Sequence, residues 1–324
     1  MAATTGIAPG KSHREGISLI QLSQLFPNED TARKWFESII WPDGRECPHC
    51  GSDDTYEGTH RTMPYRCRSC WKHFSVKTGT VMASSKIPLR KWAYAIYLDV
   101  TNLKGVSSMK LHRDLGVTQK TAWFMQQRIR EAFGELVPDS EKMEGPLEVD
   151  EAFVGGLERN KHASKRQHLG RGPVGKTAVV GIKDRATGQV IARVVPNTEA
   201  CTLQGFVEEH RVENAPVYTD GSHAYDGLPN RELVHHSVGE YVRGQAHTNG
   251  MESFWATLKR AHKGTFHRLS PKHLQRYVNE FAGRHNIRDF DTWDQMCHVA
   301  AAMVGRRLLY RDLTADTGQS SFAT

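Results

Sequence analysis

Two Cys-x-x-Cys pairs near the N-terminus constrain the fold of this chain more than any other short motif. Cys47 and Cys50 form the first pair, Cys67 and Cys70 form the second, and sixteen residues lie between the pairs. This separation is typical of a zinc ribbon, in which two tight turns present four thiolates to one Zn²⁺. A disulfide or redox pair is the alternative, and it suits a reducing compartment less well. We therefore predict a closed, structural Zn²⁺ site.

The charge of the chain favours a nucleic-acid partner. It has 43 Lys and Arg against 36 Asp and Glu, which gives a net charge of +7, and such an excess suits a polyanion. On the ribbon, we expect Arg66 and Arg68 to contact DNA phosphates. The sequence has no apolar run of ~18 residues and no signal peptide, so we expect no membrane partner and a cytoplasmic, nucleoid-associated protein.

The spacing of apolar residues divides the chain into helical segments, the ribbon and a region of mixed strands and helices. We therefore predict an α+β fold. The predicted segments are an N-terminal helical segment (1–45), the zinc ribbon (46–80), a second helical segment (87–135), a mixed domain (146–290) and a C-terminal helix and tail (291–324).

The second helical segment contains a pattern similar to a helix-turn-helix. A helix over 107–115 is followed by a turn at Gly116 and Val117, and by a second helix that Thr118 would cap. The predicted polar side of that second helix carries Gln119, Lys120, Gln126, Gln127, Arg128 and Arg130. Two interpretations stay open: a motif that reads DNA, or a plain helical hairpin packed on its neighbours.

Two of the predicted strands end in an aspartate. An apolar strand over 147–149 leads to Asp150, and another over 216–219 leads to Asp220. If the two strands are adjacent and parallel, their carboxyl ends meet at the edge where open α/β sheets bind ligands. Glu151 is a rival for Asp150, but successive strand residues point to opposite faces, so only one of the two can share a side with Asp220. We choose Asp150 because its setting mirrors that of Asp220.

A third carboxylate, Glu252, lies in the first turn of a predicted helix that Thr248 or Asn249 would cap. Acids in first turns also suit the helix dipole without any further role. Together with Asp150 and Asp220, however, Glu252 would form a group of like charges that repel unless they hold a cation. Hard divalent ions such as Mg²⁺ and Mn²⁺ prefer these oxygen ligands. The apolar stripe that would anchor this helix is Met251, Phe254, Trp255 and Leu258.

Several short motifs around these residues form a recognisable pattern. They are Trp41–Gly44 before the first cysteine pair, Val149–Glu151, Gly155-Gly156, Gly170–Gly172, Gly175-Lys176, Tyr218–Gly221, His247–Asn249 with Glu252–Trp255, Lys259-Arg260, Pro271–Tyr277, Glu280-Phe281 and Arg284–Asn286. With these motifs the chain resembles bacterial insertion-sequence transposases that join an N-terminal zinc ribbon to a ribonuclease H-like DDE domain.

The resemblance has implications for the fold and for the site. It implies a ribonuclease H-like mixed sheet with flanking helices. Asp150, Asp220 and Glu252 would be the catalytic DDE triad and would hold the Mg²⁺ or Mn²⁺ ions, and Lys259 would be the basic residue that often follows the triad.

A glycine-rich basic loop over 159–176 is expected to follow the DNA backbone. Its predicted DNA contacts are Lys165, Arg166, Arg171 and Lys176. The resemblance implies a metal-dependent transposase that cleaves and transfers DNA strands at insertion-sequence ends, and we expect a homodimer or higher oligomer on DNA. The alternatives are a DDE-type nuclease without strand transfer, and a zinc-ribbon DNA-binding regulator whose catalytic domain is inactive.

Overall fold

The structure is a computed structural model, and it describes residues 14–138, 141–156, 162–165, 174–233 and 248–315. The chain divides into two compact units. The first unit comprises Met1–Asn102, Val106–Ala132 and Ile287–Thr324, and the second unit comprises Leu103–Gly105 and Phe133–Asn286. For both units, only the described residues are meant. Within the described residues, no helix is both long and apolar enough to cross a membrane.

Helices and strands occur largely in separate runs along the chain, as is typical of an α+β protein. The α-helices of the described ranges are α1 (Leu19–Leu25), α2 (Glu29–Ile40), α3 (Leu89–Thr101), α4 (Ser108–Leu115), α5 (Gln119–Glu135), α6 (Ala200–His210), α7 (Asn249–Ala261), α8 (Leu274–Asn286), α9 (Thr292–Ala301) and α10 (Tyr310–Thr314). The strands are β1 (Thr55–Glu57), β2 (Tyr65–Cys67), β3 (His73–Phe74), β4 (Leu147–Val154), β5 (Thr177–Asp184), β6 (Val190–Val195), β7 (Val217–Thr219) and β8 (Arg231–Leu233).

In the first unit, two short helices flank Pro27 as the apolar spacing predicts. The side chain of Asn28 accepts a hydrogen bond from the Thr31 N–H and so caps α2. The Phe26 and Trp35 rings meet edge to face, with centroids 5.2 Å apart, and Phe26 stacks on Trp293 of α9 at 6.0 Å. These contacts place the C-terminal helices in the same core as the N-terminal ones.

The α4–turn–α5 pair has the predicted geometry but a different environment. Gly116 adopts the left-handed conformation at the end of α4, and the Thr118 hydroxyl accepts from the Thr121 N–H at the start of α5. Four of the predicted polar residues of α5 are nevertheless buried, whereas Gln119 and Lys120 in its first turn are exposed, so only the start of that side is an open surface. The buried residues are Gln126, Gln127, Arg128 and Arg130.

The second unit is built on a five-stranded mixed sheet of order β6-β5-β4-β7-β8. β4 pairs antiparallel with β5, and β5 antiparallel with β6, whereas β4 pairs parallel with β7 and β7 parallel with β8. The first three strands therefore form a meander, and the two that follow the helical crossover run parallel to β4. This arrangement confirms the ribonuclease H-like mixed sheet.

Each face of this sheet is covered by helices. One hydrophobic cluster joins Ala152 and Val154 of β4 to α7 and α8. The other joins Leu147 and Val149 of β4 to α6 and to the short turn around Tyr225. Alternate residues of β4 thus point to opposite layers, which decides where each of its acidic side chains lies.

Three predicted element boundaries differ from the structure. β4 continues through Asp150 to Val154 instead of ending at Asp150. The apolar spacing also predicts a strand over 233–237; β8 covers Arg231–Leu233, and the rest of the predicted strand lies outside the described residues. The same spacing predicts a last helix over 292–310, but α9 ends at Ala301.

Candidate functional site

The four ribbon cysteines lie together around the small β1–β2–β3 sheet. All four sulfur atoms lie within 4.8 Å of one another. The Sγ atoms of Cys47 and Cys70 are 3.6 Å apart, and so are those of Cys50 and Cys67. A disulfide requires about 2.05 Å between its sulfurs, so these cysteines are free thiols.

This cluster fits a tetrahedral zinc ion. Four sulfurs about 2.3 Å from a central Zn²⁺ lie about 3.8 Å from one another, close to the observed separations of 3.6 Å. The backbone N–H of Cys70 donates to Cys67 Sγ at 3.5 Å, and it is the largest influence lowering the pKa of the Cys67 thiol to about 6. Four cysteine sulfurs at these separations are the ligand set of a structural zinc site, so the cluster supports Zn²⁺ as a cofactor of the ribbon.

The two basic residues predicted to contact DNA are held on the ribbon surface by aromatic neighbours. The guanidinium of Arg66 lies 5.3 Å from the exposed Trp71 ring, and that of Arg68 lies 5.1 Å from the Tyr56 ring. Arg68 also pairs with Asp54 at 3.1 Å. Planar cations stacked on rings are partly ordered before any ligand binds.

The parallel pairing of β4 with β7 places the two predicted aspartates side by side. Leu147 is the partner of Val217, and Glu148 is the partner of Tyr218. Continuing this register by two residues sets Asp150 opposite Asp220, just beyond the end of β7. The Asp220 carboxylate accepts from the Ser222 N–H at 3.1 Å.

Burial and neighbouring negative charge act together on Asp150. Burial is the largest influence, followed by the charges of Glu151 and Asp220 and, more weakly, of Glu252; together they raise the pKa of Asp150 to about 7. Glu252 therefore lies close enough to affect Asp150, although its side chain is exposed. Among the described residues, the four ribbon thiols are the only group of three or more His, Cys, Asp or Glu side chains whose ligand atoms all lie within 4.8 Å of one another. The carboxylates of Asp150, Asp220 and Glu252 are therefore further apart than the four thiols are.

Glu151, the rival for Asp150, belongs to the opposite face of the sheet. Its carboxylate accepts a hydrogen bond of 2.7 Å from the Tyr225 hydroxyl, and Tyr225 is buried in the cluster that contains α6. Asp150 lies on the side of β4 that faces α7, the helix of Glu252. The geometry thus favours Asp150 over Glu151.

A buried glutamate that the sequence argument missed anchors the N-terminus of α7. Glu148 is only 2% exposed, and its Oε2 accepts from the Met251 N–H at 3.0 Å. Its Oε1 accepts from Arg185 Nε at 2.8 Å. Thr248 is the N-cap residue of α7, one of the two predicted choices, but its side chain makes no cap hydrogen bond. The only feature of the sequence that points to this role of Glu148 is its position two residues before Asp150, which places both acids on the same face of the strand.

Two glycines allow α7 to approach the sheet. Gly181 of β5 is the partner of Asp150, and a Cβ there would lie 2.3 Å from Met251 Cε and 2.8 Å from the Trp255 ring. At Gly250, a Cβ would lie 2.7 Å from Glu148 Oε2. A larger side chain at either position would require these neighbouring side chains to move.

The segment after β7 is braced by one arginine. Arg231 donates from NH2 to the carbonyl oxygens of Asp220 and Ser222 at 3.0 and 2.9 Å, and from Nε to the Thr219 hydroxyl at 2.7 Å. It also pairs with Asp226. The backbone that presents Asp220 is therefore held from several directions.

The remaining predicted DNA contacts are only partly described. Lys259 lies in the last turn of α7 and is exposed. Lys176 is half-buried and packs against Gly155, where a Cβ would lie 3.2 Å from Lys176 Cγ. Arg166 and Arg171 lie outside the described residues, and so does the side chain of Lys165.

A four-thiol ribbon and a ribonuclease H-like sheet with an acidic edge define a class of zinc-ribbon transposases. Comparison with known proteins gives the family. The model described as an ISXO2-like transposase domain matches residues 142–286, and a transposase zinc-ribbon domain matches residues 27–73.

A relative extends the match over most of the chain. It is a protein of the transposable element ISH50 from Halobacterium salinarum, and it is 32% identical over 281 residues, which cover 82% of this chain and 93% of the relative. No solved structure matches the chain. The chain belongs to the ISXO2-like transposase family.

The four-thiol cluster predicts one Zn²⁺ per chain. Elemental analysis of the purified protein should find one equivalent of zinc, and Cys67→Ser should lose most of it because one of four thiolates is removed. Cys201→Ser, which changes an exposed cysteine of α6, should keep the metal. Zinc-free parent protein would contradict the prediction.

The anchor of α7 predicts that Glu148 stabilises the second unit. Glu148→Ala leaves the Arg185 charge and the Met251 N–H without this acceptor, so the free energy of unfolding should fall by about 3–5 kcal/mol. Glu148→Gln should cost less because its amide oxygen still accepts. Urea denaturation followed by circular dichroism measures both.

A matched control for this measurement is Glu199→Ala. Glu199 precedes α6, is exposed and makes no side-chain cap hydrogen bond, so its loss should change the unfolding free energy by no more than about 0.5 kcal/mol. Equal urea midpoints for Glu148→Ala and this control would show that the anchor contributes nothing.

Proposed function

We propose that this transposase cleaves DNA strands at the ends of its element and transfers them to target DNA at the edge formed by β4, β7 and α7. The observation that supports the proposal is the β4–β7 register, which sets Asp150 opposite Asp220 on the face that α7 covers. Water would be the nucleophile for cleavage, and a DNA 3′-hydroxyl for strand transfer.

The carboxylates suit a pair of hard divalent ions. Asp150, Asp220 and Glu252 would hold Mg²⁺ or Mn²⁺, and their influence on the pKa of Asp150 is the repulsion that bound cations relieve. When bound, such ions activate an attacking oxygen and stabilise the leaving oxygen of a phosphodiester. Ligands that hold two ions about 4 Å apart need not contact one another, so the spacing of these carboxylates is compatible with a pair of ions.

The rest of the second unit would keep the three ligands in place. Asp150 lies inside the sheet, and the Arg231 contacts hold the backbone of Asp220. Glu252 depends on the position of α7, which Glu148 anchors through the Met251 N–H. Ligands fixed in this way need little reorganisation when charge develops in the transition state.

Basic residues of the chain would bind the DNA backbone. On the second unit these are Lys259 and Lys176, with Lys165, Arg166 and Arg171 of the basic loop; on the ribbon they are Arg66 and Arg68. A homodimer or higher oligomer on DNA would bring two element ends together, as strand transfer requires.

The carboxylate assignment predicts the effect of Asp220→Asn. The amide removes a charged ligand, so Mg²⁺-dependent strand cleavage should fall about a hundredfold or more, while binding of the DNA end should persist because the basic residues are unchanged. Cleavage and joining of a labelled end measure this, with Glu199→Gln as the control for loss of one exposed carboxylate. Cleavage by Asp220→Asn within a few-fold of the parent would show that Asp220 is not a ligand.

The same assay separates the transposase from a nuclease. The parent should convert a labelled end into a product joined to target DNA. Cleaved ends with no joined product, in the presence of Mg²⁺ and target DNA, would contradict strand transfer and leave a DDE-type nuclease.

Lys259 should contribute a phosphate contact. It lies seven residues after Glu252, which is ~10 Å along nearly the same face of α7. Lys259→Ala should slow strand joining about tenfold, because a hydrogen bond between charged groups is lost, and Lys259→Arg should recover much of the rate. Arg260→Ala, which removes the next cation at a different angle around the helix, should have a smaller effect. Full joining activity of Lys259→Ala at physiological salt would make Lys259 a plain surface residue.

A further inference from the structure

A cavity in the first unit contains a buried arginine that the proposed function does not use. The cavity has a volume of about 230 Å³. It is formed by α3, α5 and the segment 84–87 that precedes α3, and its polar lining includes Ser84, Ser85, Lys86, Trp92, Thr121 and Arg128.

Arg128 brings a positive charge into this cavity without a matching carboxylate. It is 6% exposed, its Nε donates to the Leu308 carbonyl oxygen at 3.3 Å, and its guanidinium lies 4.2 Å from the Phe124 ring centroid. No described carboxylate forms an ion pair with it, and burial lowers the pKa of Arg128 to about 10. A buried cation is costly unless an anion or a set of acceptors compensates it.

A second buried donor lines the same cavity. The Trp92 side chain is fully buried, and its Nε1–H finds no hydrogen-bond acceptor among the described residues. A buried donor without an acceptor costs roughly 1–3 kcal/mol. Because it is fully buried, the Trp92 N–H is closed to a ligand in the cavity, and Arg128 is the buried group that favours a ligand rich in acceptors.

The rest of the polar lining supplies further donors. Lys86 is exposed at the cavity, and Thr121 and the two serines contribute hydroxyl groups. The Lys77 ammonium donates to the carbonyl oxygens of Ser85 and Ile87, so these acceptors of the segment are already engaged. No aspartate or glutamate of the described residues lines the cavity.

We propose that this cavity binds a phosphate-type oxyanion through Arg128 and Lys86. Two cations and the hydroxyl groups of the lining form a set of donors that a tetrahedral oxyanion can accept from on several sides. The phosphate can come from a DNA backbone or from free phosphate in solution, and these two sources are distinguishable. The site belongs to the first unit and does not depend on the carboxylates of the second.

The test uses the zinc-loaded, full-length protein with inorganic phosphate as the probe. Phosphate should raise the melting temperature of the parent above its value in chloride at equal ionic strength, and calorimetry should give a dissociation constant. Lys86→Gln and Arg128→Met should each weaken phosphate binding about tenfold or more, since a charged hydrogen-bond donor is lost. Lys91→Gln makes the same change as Lys86→Gln at a lysine outside the cavity, and should leave binding unchanged.

A DNA arm identifies the source of the phosphate. If a DNA phosphate enters the cavity, Lys86→Gln should lower the slope of log affinity against log salt by about 0.9, and free phosphate should compete with the DNA. If free phosphate is the ligand, DNA affinity should not change although phosphate binding is lost.

Folding of the variants does not limit the test. Arg128→Met removes a buried side chain, whereas Lys86→Gln and Thr121→Val change an exposed residue and a hydroxyl group and should leave the protein folded. Parent protein that binds phosphate no better than chloride, together with unchanged DNA binding in Lys86→Gln and Thr121→Val, would overturn the proposal.

Discussion

One buried carboxylate on β4 connects the two supports of the candidate active site. Glu148 accepts from Arg185 on the sheet side and from the Met251 N–H on the helix side. The strand that carries Asp150 therefore also holds the helix that carries Glu252. The parallel pairing of β4 with β7 then brings in Asp220. Three acids that are far apart in sequence depend on a single strand for their relative positions.

The sequence was sufficient to predict those parts of the structure that depend on short motifs with a fixed spacing. The four cysteines have few alternatives once their spacing is known, and the structure gathers them at separations that suit zinc. The side-by-side placement of Asp150 and Asp220 was predictable because each follows apolar strand residues, and the two strands are adjacent and parallel. The preference for Asp150 over Glu151 depended on its setting, which mirrors that of Asp220. The alternation of side chains along β4 and the Tyr225 contact of Glu151 agree with this preference.

The sequence was insufficient where a residue acts on a distant part of the chain. Thr248 has the ordinary character of a cap, but the acceptor for α7 comes from Glu148, one hundred and three residues before Met251. The polar residues of α5 left open a face that reads DNA, but four of them are buried, and two of these donate to the carbonyl oxygens of Val106 and Leu308. Helical periodicity predicts the direction in which each side chain points from the helix axis, but it does not predict which other part of the chain lies in that direction.

A substitution at Gly181 could disrupt the candidate active site even if Asp150, Asp220 and Glu252 were all unchanged. The position faces the side chains of Met251 and Trp255 at distances that only a hydrogen atom tolerates, so the allowed size of a residue in β5 sets the depth at which α7 rests. A methyl group at position 181 would force the Met251 and Trp255 side chains of α7 to move, and this can shift Glu252 relative to Asp150. When copies of a mobile element decay, a chain with all its acidic residues intact can therefore already be silent, and an inventory of carboxylates overestimates how many copies still move.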